Sequence, residues 1–579
     1  MSKTPNYDTA IKKILDATQP GERTCVLTGE KWQMTEEEIG WYKKFNVPPL
    51  KISPLTHLKK LSAFFTNYQW WWHKNPETGK PVLSGYNPNS GIKVLPDSEW
   101  FAKDFSSIQL EPKFDQPFFP QFRQLQTTVP VNASRNLKEP ENSLALTSFG
   151  DKDSYFVMAC ASINSFFGLN SKTENSALCI YADSVNDSYD VLHSSRIHNC
   201  KTIRESRDCL NSAFLFDCRG CENCFGATNK RNKKYLFFNQ QLTKEDWEKT
   251  VGTIDLGKRS IFLEYKNKFQ QLLKTEAVWP ENFNENTVNA TGEYITEATN
   301  IVDGFFVEKN CSNIYKCFVT PMGSTDSCFS GGVVGGNNCF ACLTISFSSS
   351  CLFSSVLVRC QNCEYSFHCF NCENCFGCVG LQHKKFCILN RQYSEEEYWI
   401  ELDKIKSAML ERGEYGNFFP NSYAGSYFYE SAAPNTFGCT PGEAKLFGVA
   451  EYDPNANGAS GFSVFDPATG RTIEQIPESI DDFDTDHWAN KPIFDPKINR
   501  QFSFLKPEIE FYKRLRIAPP NEHFISRLLT LQKETNSPIF VDFSCIHCGR
   551  AIRAAKNFTY QNKKVACHEC YLKYLEKNN

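Results

Sequence analysis

Four cysteines near the C-terminus have the spacing of a metal site: Cys545-x2-Cys548 and Cys567-x2-Cys570, with 18 residues between the pairs. Two such knuckles present four thiolates to a tetrahedral ion, as in a four-cysteine zinc ribbon, and Gly549 after the second Cys permits the tight turn beneath the metal. With all four positions filled by protein, the one zinc expected here is structural. A second cysteine-rich stretch, Cys360 to Cys378, invites another chemistry. Cys369, Cys372, Cys375 and Cys378 follow C-x2-C-x2-C-x2-C, one residue short of a bacterial ferredoxin run.

An internal copy decides how that second stretch is read. CENCFG at 221–226 repeats CENCFG at 372–377, 151 residues later, and the alignment places Cys378 on Ala227, Cys363 on Ser212, Cys339 on Ser188 and Cys342 on Val191. A metal ligand cannot become Ser, Ala or Val and keep its ion, so these positions are expected to be small core sites. An Fe–S or thiol redox protein centred on Cys360–Cys378 is the alternative.

Basic residues surround the C-terminal knuckles: Arg550, Arg553, Lys556, Lys563 and Lys564, with Phe558 and Tyr560 among them. Such a face could contact phosphate and stack a base, which makes a nucleic-acid- or ribosome-associated protein a second alternative. The whole chain is not a basic binder, since 63 Lys and Arg oppose 66 Asp and Glu. GGVVGG at 331–336 lacks the strand-then-helix context of a dinucleotide loop, and Asp482, Asp484 and Asp486 lack the later positions of a calcium loop. No H-E-x-x-H, G-x-S-x-G or Walker A run occurs in the sequence.

The elements that must carry these residues are legible as repeats. The 579 residues include 26 Cys and 48 Phe, and 21-residue spacings recur: Cys339 to Cys360, Cys342 to Cys363, Cys351 to Cys372. That period predicts a mainly β fold with helices, containing two short β-solenoids, three strands to each coil, with Cys and Phe ladders inside. Each half opens on an amphipathic helix (117–127, 262–274) and closes on a capped one, announced by Thr243 with Asp246 and by Ser394 with Glu397. The chain ends also match each other at an offset of 470, Glu38 with Glu508 and Tyr42 with Tyr512 among the pairs.

The expected organisation is therefore a ribbon-like module at 1–105, solenoid halves at 106–250 and 251–425, an irregular connection at 426–490 and a ribbon pair at 491–579. The N-terminus has no apolar leader and no run of about 18 apolar residues occurs, so a cytoplasmic protein outside the membrane is expected.

The order of features resembles an uncharacterised family of intracellular Cys-rich bacterial proteins, carried by CENCFGCVGLQHKKFCILNRQYSEEEY at 372–398. The resemblance implies tandem zinc ribbons flanking duplicated Cys-ladder repeats. This chain departs from it at the first knuckles, which read Cys25-Val-Leu-Thr28-Gly29 and Ser53-Pro-Leu-Thr56, and again near His523 and Ser526. Those ribbons are expected to be metal-free, with packing by Trp70, Trp71 and Trp72 in place of the ion. The expectation for function is a non-enzymatic scaffold that binds a macromolecular partner, protein or ribosome/nucleic acid, with a homodimer allowed.

Overall fold

In the computed structural model the described residues are 2–451 and 470–579. The middle of the expected 426–490 connection, 452–469, lies outside them. Its flanks carry short helices, Ala432–Phe437 and Pro441–Phe447 among them.

The fold is mixed α/β with most strands in parallel sheets. Residues 144–241 form a ten-stranded and a four-stranded sheet, and residues 288–392 a nine-stranded and a second four-stranded one. Most strands are four residues long and pair with the strand one repeat later. Ala177 lies beside Tyr189, Tyr189 beside Lys201, and Lys201 beside Ala213. In the second half Gln361 lies beside Glu373 and Glu373 beside Lys385.

The repeat is therefore 12 residues with two paired strands, not 21 with three. The cause is a finer unit. From Asn175 to Asp217 every third residue has a positive φ, and the residue after each one is buried: Ser176, Cys179, Ala182, Val185, Ser188 and onward to Cys218. Every inward spacing is then a multiple of three, so 21 recurs between cysteines without being the distance between stacked rows.

Ser and Cys serve the same purpose in the inward columns. Ser188 Oγ donates to Asn186 O at 2.7 Å and accepts the Cys200 amide at 3.0 Å. Cys200 Sγ donates to His198 O at 3.2 Å and accepts the Ser212 amide at 3.4 Å. Ser212 repeats the pattern with Leu210 O at 2.8 Å and the Cys224 amide at 3.0 Å. A small side chain with one donor and one acceptor closes each bend, which otherwise leaves buried backbone groups unpaired. Outside, asparagines at left-handed positions form their own ladder, as Asn199 Nδ2 to Asn211 Oδ1 at 2.8 Å; Asn tolerates that conformation better than most residues.

Helices cover the halves where the sequence placed them: Phe118–Thr128 and Arg259–Thr275 before the repeats, Lys244–Val251 and Glu395–Glu411 after. Thr243 accepts the Asp246 amide, and Ser394 with Glu397 forms a full capping box. Glu38 and Glu508 are both buried and accept from Tyr42 and Tyr512 at 2.9 and 2.8 Å, so the two chain ends repeat in structure as well. Among the described residues no helix is long and apolar enough to cross a membrane.

Ser212→Ala is expected to destabilise the protein by about 1–3 kcal/mol, because a buried amide and carbonyl lose their shared partner. Ser212→Cys, which installs the residue already found one repeat earlier and later, is expected to cost under about 1 kcal/mol. Urea midpoints at unchanged m-value test both.

Candidate metal centre

Strands Asn536–Ser544 and Ala551–Asn557 form an antiparallel hairpin that ends at the first knuckle. The Cys545 amide donates to Arg550 O and the Gly549 amide to Cys545 O, both at 2.9 Å. Gly549 has φ 72°, a conformation strained for other residues. The second knuckle starts where strand Lys564–Ala566 meets helix His568–Asn578, with Cys567 as the helix N-cap. The Ile546 amide bonded to Val565 O at 3.0 Å holds the knuckles side by side.

The ligand atoms of Cys545, Cys548, Cys567 and Cys570 lie within 4.8 Å of one another, and Cys548 and Cys567 Sγ are 3.9 Å apart. A tetrahedron with Zn–S of about 2.3 Å has S···S edges of about 3.8 Å, so four thiolates so placed can hold one metal ion. Burial alone would raise the Cys545 thiol, but backbone N–H groups of Cys548, Cys567 and His547 hold it down at about 6. Thiols of Cys567 and Cys548 hydrogen-bonded to Cys570 push it up to about 12. Cys545 and Cys567 are buried and Cys548 is exposed, which leaves one side of the cluster open to an entering ion.

The same backbone recurs three times with other side chains. At the first ribbon, strands Gly21–Thr24 and Lys31–Met34 pair, the Cys25 amide donates to Glu30 O at 2.7 Å, and the Gly29 amide to Cys25 O at 2.9 Å. The Val26 amide reaches Lys51 O at 3.1 Å, as Ile546 reaches Val565. The four knuckle positions meet: Cys25 Sγ lies 3.9 Å from Thr56 Oγ1, the Thr28 amide donates to Cys25 Sγ at 3.4 Å, and Ser53 Oγ donates to Thr56 Oγ1 at 2.9 Å. At the second, Asn75 and Gly79 make the knuckle, and Asn75 Nδ2 donates to Glu99 Oε2 at 2.8 Å. At the third, Asp495 stands in the first ligand position and accepts the His523 amide at 2.9 Å and the Lys497 amide at 3.0 Å. Direct hydrogen bonds across the knuckles thus replace metal–ligand bonds. Of the three tryptophans, Trp70 is buried in apolar packing as expected, edge-on to Tyr68 and Phe156; Trp71 Nε1 instead donates to Glu430 at 3.0 Å with Arg500 stacked on its ring at 4.1 Å, and Trp72 is exposed.

The thiols of Cys369, Cys372, Cys375 and Cys378 are buried among the inward columns. Each thiol lies within hydrogen-bond reach of the carbonyls two residues before and nine residues after it, as Cys372 of Phe370 O and Leu381 O, both at 3.4 Å. Burial pushes simpler members of these columns, Cys200 and Cys317, up to about 12.

The basic residues divide. Arg550, Lys556 and Lys564 are exposed, and Lys564 donates to Thr275 O at the end of a body helix. Arg553 pairs with Asp303 at 2.7 Å. Lys563 is no surface contact: it is buried, donates to Asn536 Oδ1 at 2.9 Å and lies 4.9 Å from the Trp279 ring. Burial, opposed by Glu293 and Glu205, lowers it to about 8. Tyr560 is likewise turned inward, its hydroxyl donating to Glu534 at 3.2 Å, and Phe558 packs against Gly438. Sequence gave no sign of the partners, Asp217 and Asn229: Tyr571 donates to Asp217, and Asn229 exchanges bonds with Val278 at 2.8 and 2.9 Å.

Compared with known proteins, the chain matches no family model and no curated sequence.

Elemental analysis of the purified chain is expected to give one metal ion per molecule, lost in Cys548→Ser with Cys570→Ser. Installing three thiolates at the first ribbon (T28C, S53C and T56C beside Cys25) is expected to raise the count to two. Two ions in the unaltered chain would contradict this assignment.

Proposed function

We propose that the protein is a non-enzymatic scaffold, built from two β-solenoid halves and fastened by ribbon modules at both ends, of which the last carries a structural zinc ion. The units proposed are 1–105, 106–250, 251–425, 426–490 and 491–579. Thiolate-only ligation favours zinc among divalent ions, and a filled shell leaves no position for a reacting water.

The observation that carries this reading is how the terminal ribbon is fastened to the body. Buried Arg204 of the first half bonds Asp190 at 2.8 Å and Glu534 of the ribbon segment at 2.8 Å. Strand Lys564–Ala566 pairs with Val278–Pro280, and Asn536 of the hairpin donates to Glu293 of the second half at 3.0 Å. A metal site so placed tightens a joint between body and module, and the joint holds knuckle tips outward: Val26 is 74% exposed at the first, Ile546 and Leu572 are exposed at the last. Apolar tips on a stiff frame suit a protein partner.

Affinity recovery from the native cell followed by hydrogen exchange on the complex tests the reading. Protection is expected around Val26, Ile546 and Leu572, and Ile546→Glu with Leu572→Glu is expected to weaken retention at least about tenfold. A complex retained unchanged by that variant, or a chain that turns over a small molecule and retains no macromolecule, would sink it.

A further inference from the structure

At the seam where the two halves face each other lies a cavity of ≈ 70 Å³, room for about five waters. Its walls include strand ends of the first half (Met158, Leu169), a strand of the second (Phe318), helix Ala432–Phe437, and the amide pair Asn67 and Gln532, joined at 2.8 Å. Arg135 also lines it.

Arg135 is 9% exposed and its Nε is buried without a hydrogen-bond partner. Its guanidinium stacks on the Tyr86 ring at 5.2 Å, and among the described residues no carboxylate lies within ion-pair distance of it. Buried Arg204 and Arg527 differ in having carboxylates within reach: Arg204 bonds Asp190 and Glu534, and Arg527 lies 3.8 Å from Glu508 while donating to the Tyr512 hydroxyl. Asp97 faces Arg135 at longer range, with its carboxylate held by the Ser134 and Asn136 amides; a buried cation without a direct ion pair is unfavourable, and here it borders a space large enough for a counter-ion.

We propose that this cavity is a binding site for a short-chain monocarboxylate. The carboxylate meets Arg135 with the bidentate geometry that a guanidinium offers. The alkyl tail lies against Met158, Leu169 and Phe318. A phosphate dianion fits less well, because one arginine cannot neutralise it and the remaining walls are amides, hydroxyls and hydrocarbon. Occupancy joins the halves, so ligand binding stabilises the assembled chain by mass action.

Calorimetric titration and thermal unfolding of the full chain with propionate, butyrate and inorganic phosphate test this. Saturable binding of the carboxylates with a raised Tm is expected, and none with phosphate. Arg135→Met is expected to weaken carboxylate binding about tenfold or more, and without ligand to melt no lower than the unaltered protein, since it removes an unpaired charge. Ala159→Leu fills the same cavity while keeping Arg135; its left-handed position is of the kind that already holds Leu178 and Phe167. It is expected to abolish binding even if the arginine variant fails to fold. Absence of carboxylate binding, a preference for phosphate, or affinity unchanged in Ala159→Leu would overturn the proposal.

Discussion

The rest of the molecule depends on how the backbone is satisfied where it bends every third residue. Left-handed residues recur at that interval through the first half, each at an intrinsic cost to an L-amino acid. What offsets the cost is a row of inward side chains that donate to one carbonyl and accept one amide of the next row. Ser and Cys both do this, and larger residues in the alternate columns, Ile203 and Leu215 for example, supply the apolar contact. A thiol in such a column is enclosed and hydrogen-bonded to backbone, conditions that suit neither metal capture nor redox exchange.

Among the described residues, the cysteines placed to share a metal ion lie instead where the backbone forms knuckles. Four hairpins have a glycine or asparagine at the left-handed turn position (Gly29, Gly79, Asn499, Gly549), and those at Cys25, Asn75 and Cys545 share the same amide-to-carbonyl pattern after their first strand. One of the four carries four cysteines. In the others Cys25, Asn75 and Asp495 hold the first position and bond directly to the facing segment. Hydrogen bonds can make this substitution because each knuckle is packed on a large body; an isolated ribbon of this size buries too little to dispense with an ion.

That packing also explains the fate of the basic residues. The last ribbon adheres to the body through groups that turn inward, Lys563 toward Trp279 and Tyr571 toward Asp217, while exposed Arg553 pairs with Asp303 at the rim. Buried charges of this kind fix orientation more than they add stability. They set the ribbon at one angle to the two halves.

Much of this was legible in the sequence. The Cys545–Cys570 spacing, the offset of 470 between chain ends, the capped helices at Thr243 and Ser394, and the reading of the Cys360–Cys378 run as core thiols all rest on local rules, and local rules survive into the fold. The row length did not emerge, because 12 and 21 are both multiples of the three-residue unit and only strand pairing chooses between them. Nor could sequence tell that Lys563 is buried, that Asp217 receives Tyr571, or that Arg135 borders a cavity without a carboxylate partner. Those facts depend on which surfaces meet across hundreds of residues, and the energies that decide such meetings, desolvation and long-range pairing, leave no periodic trace in the chain.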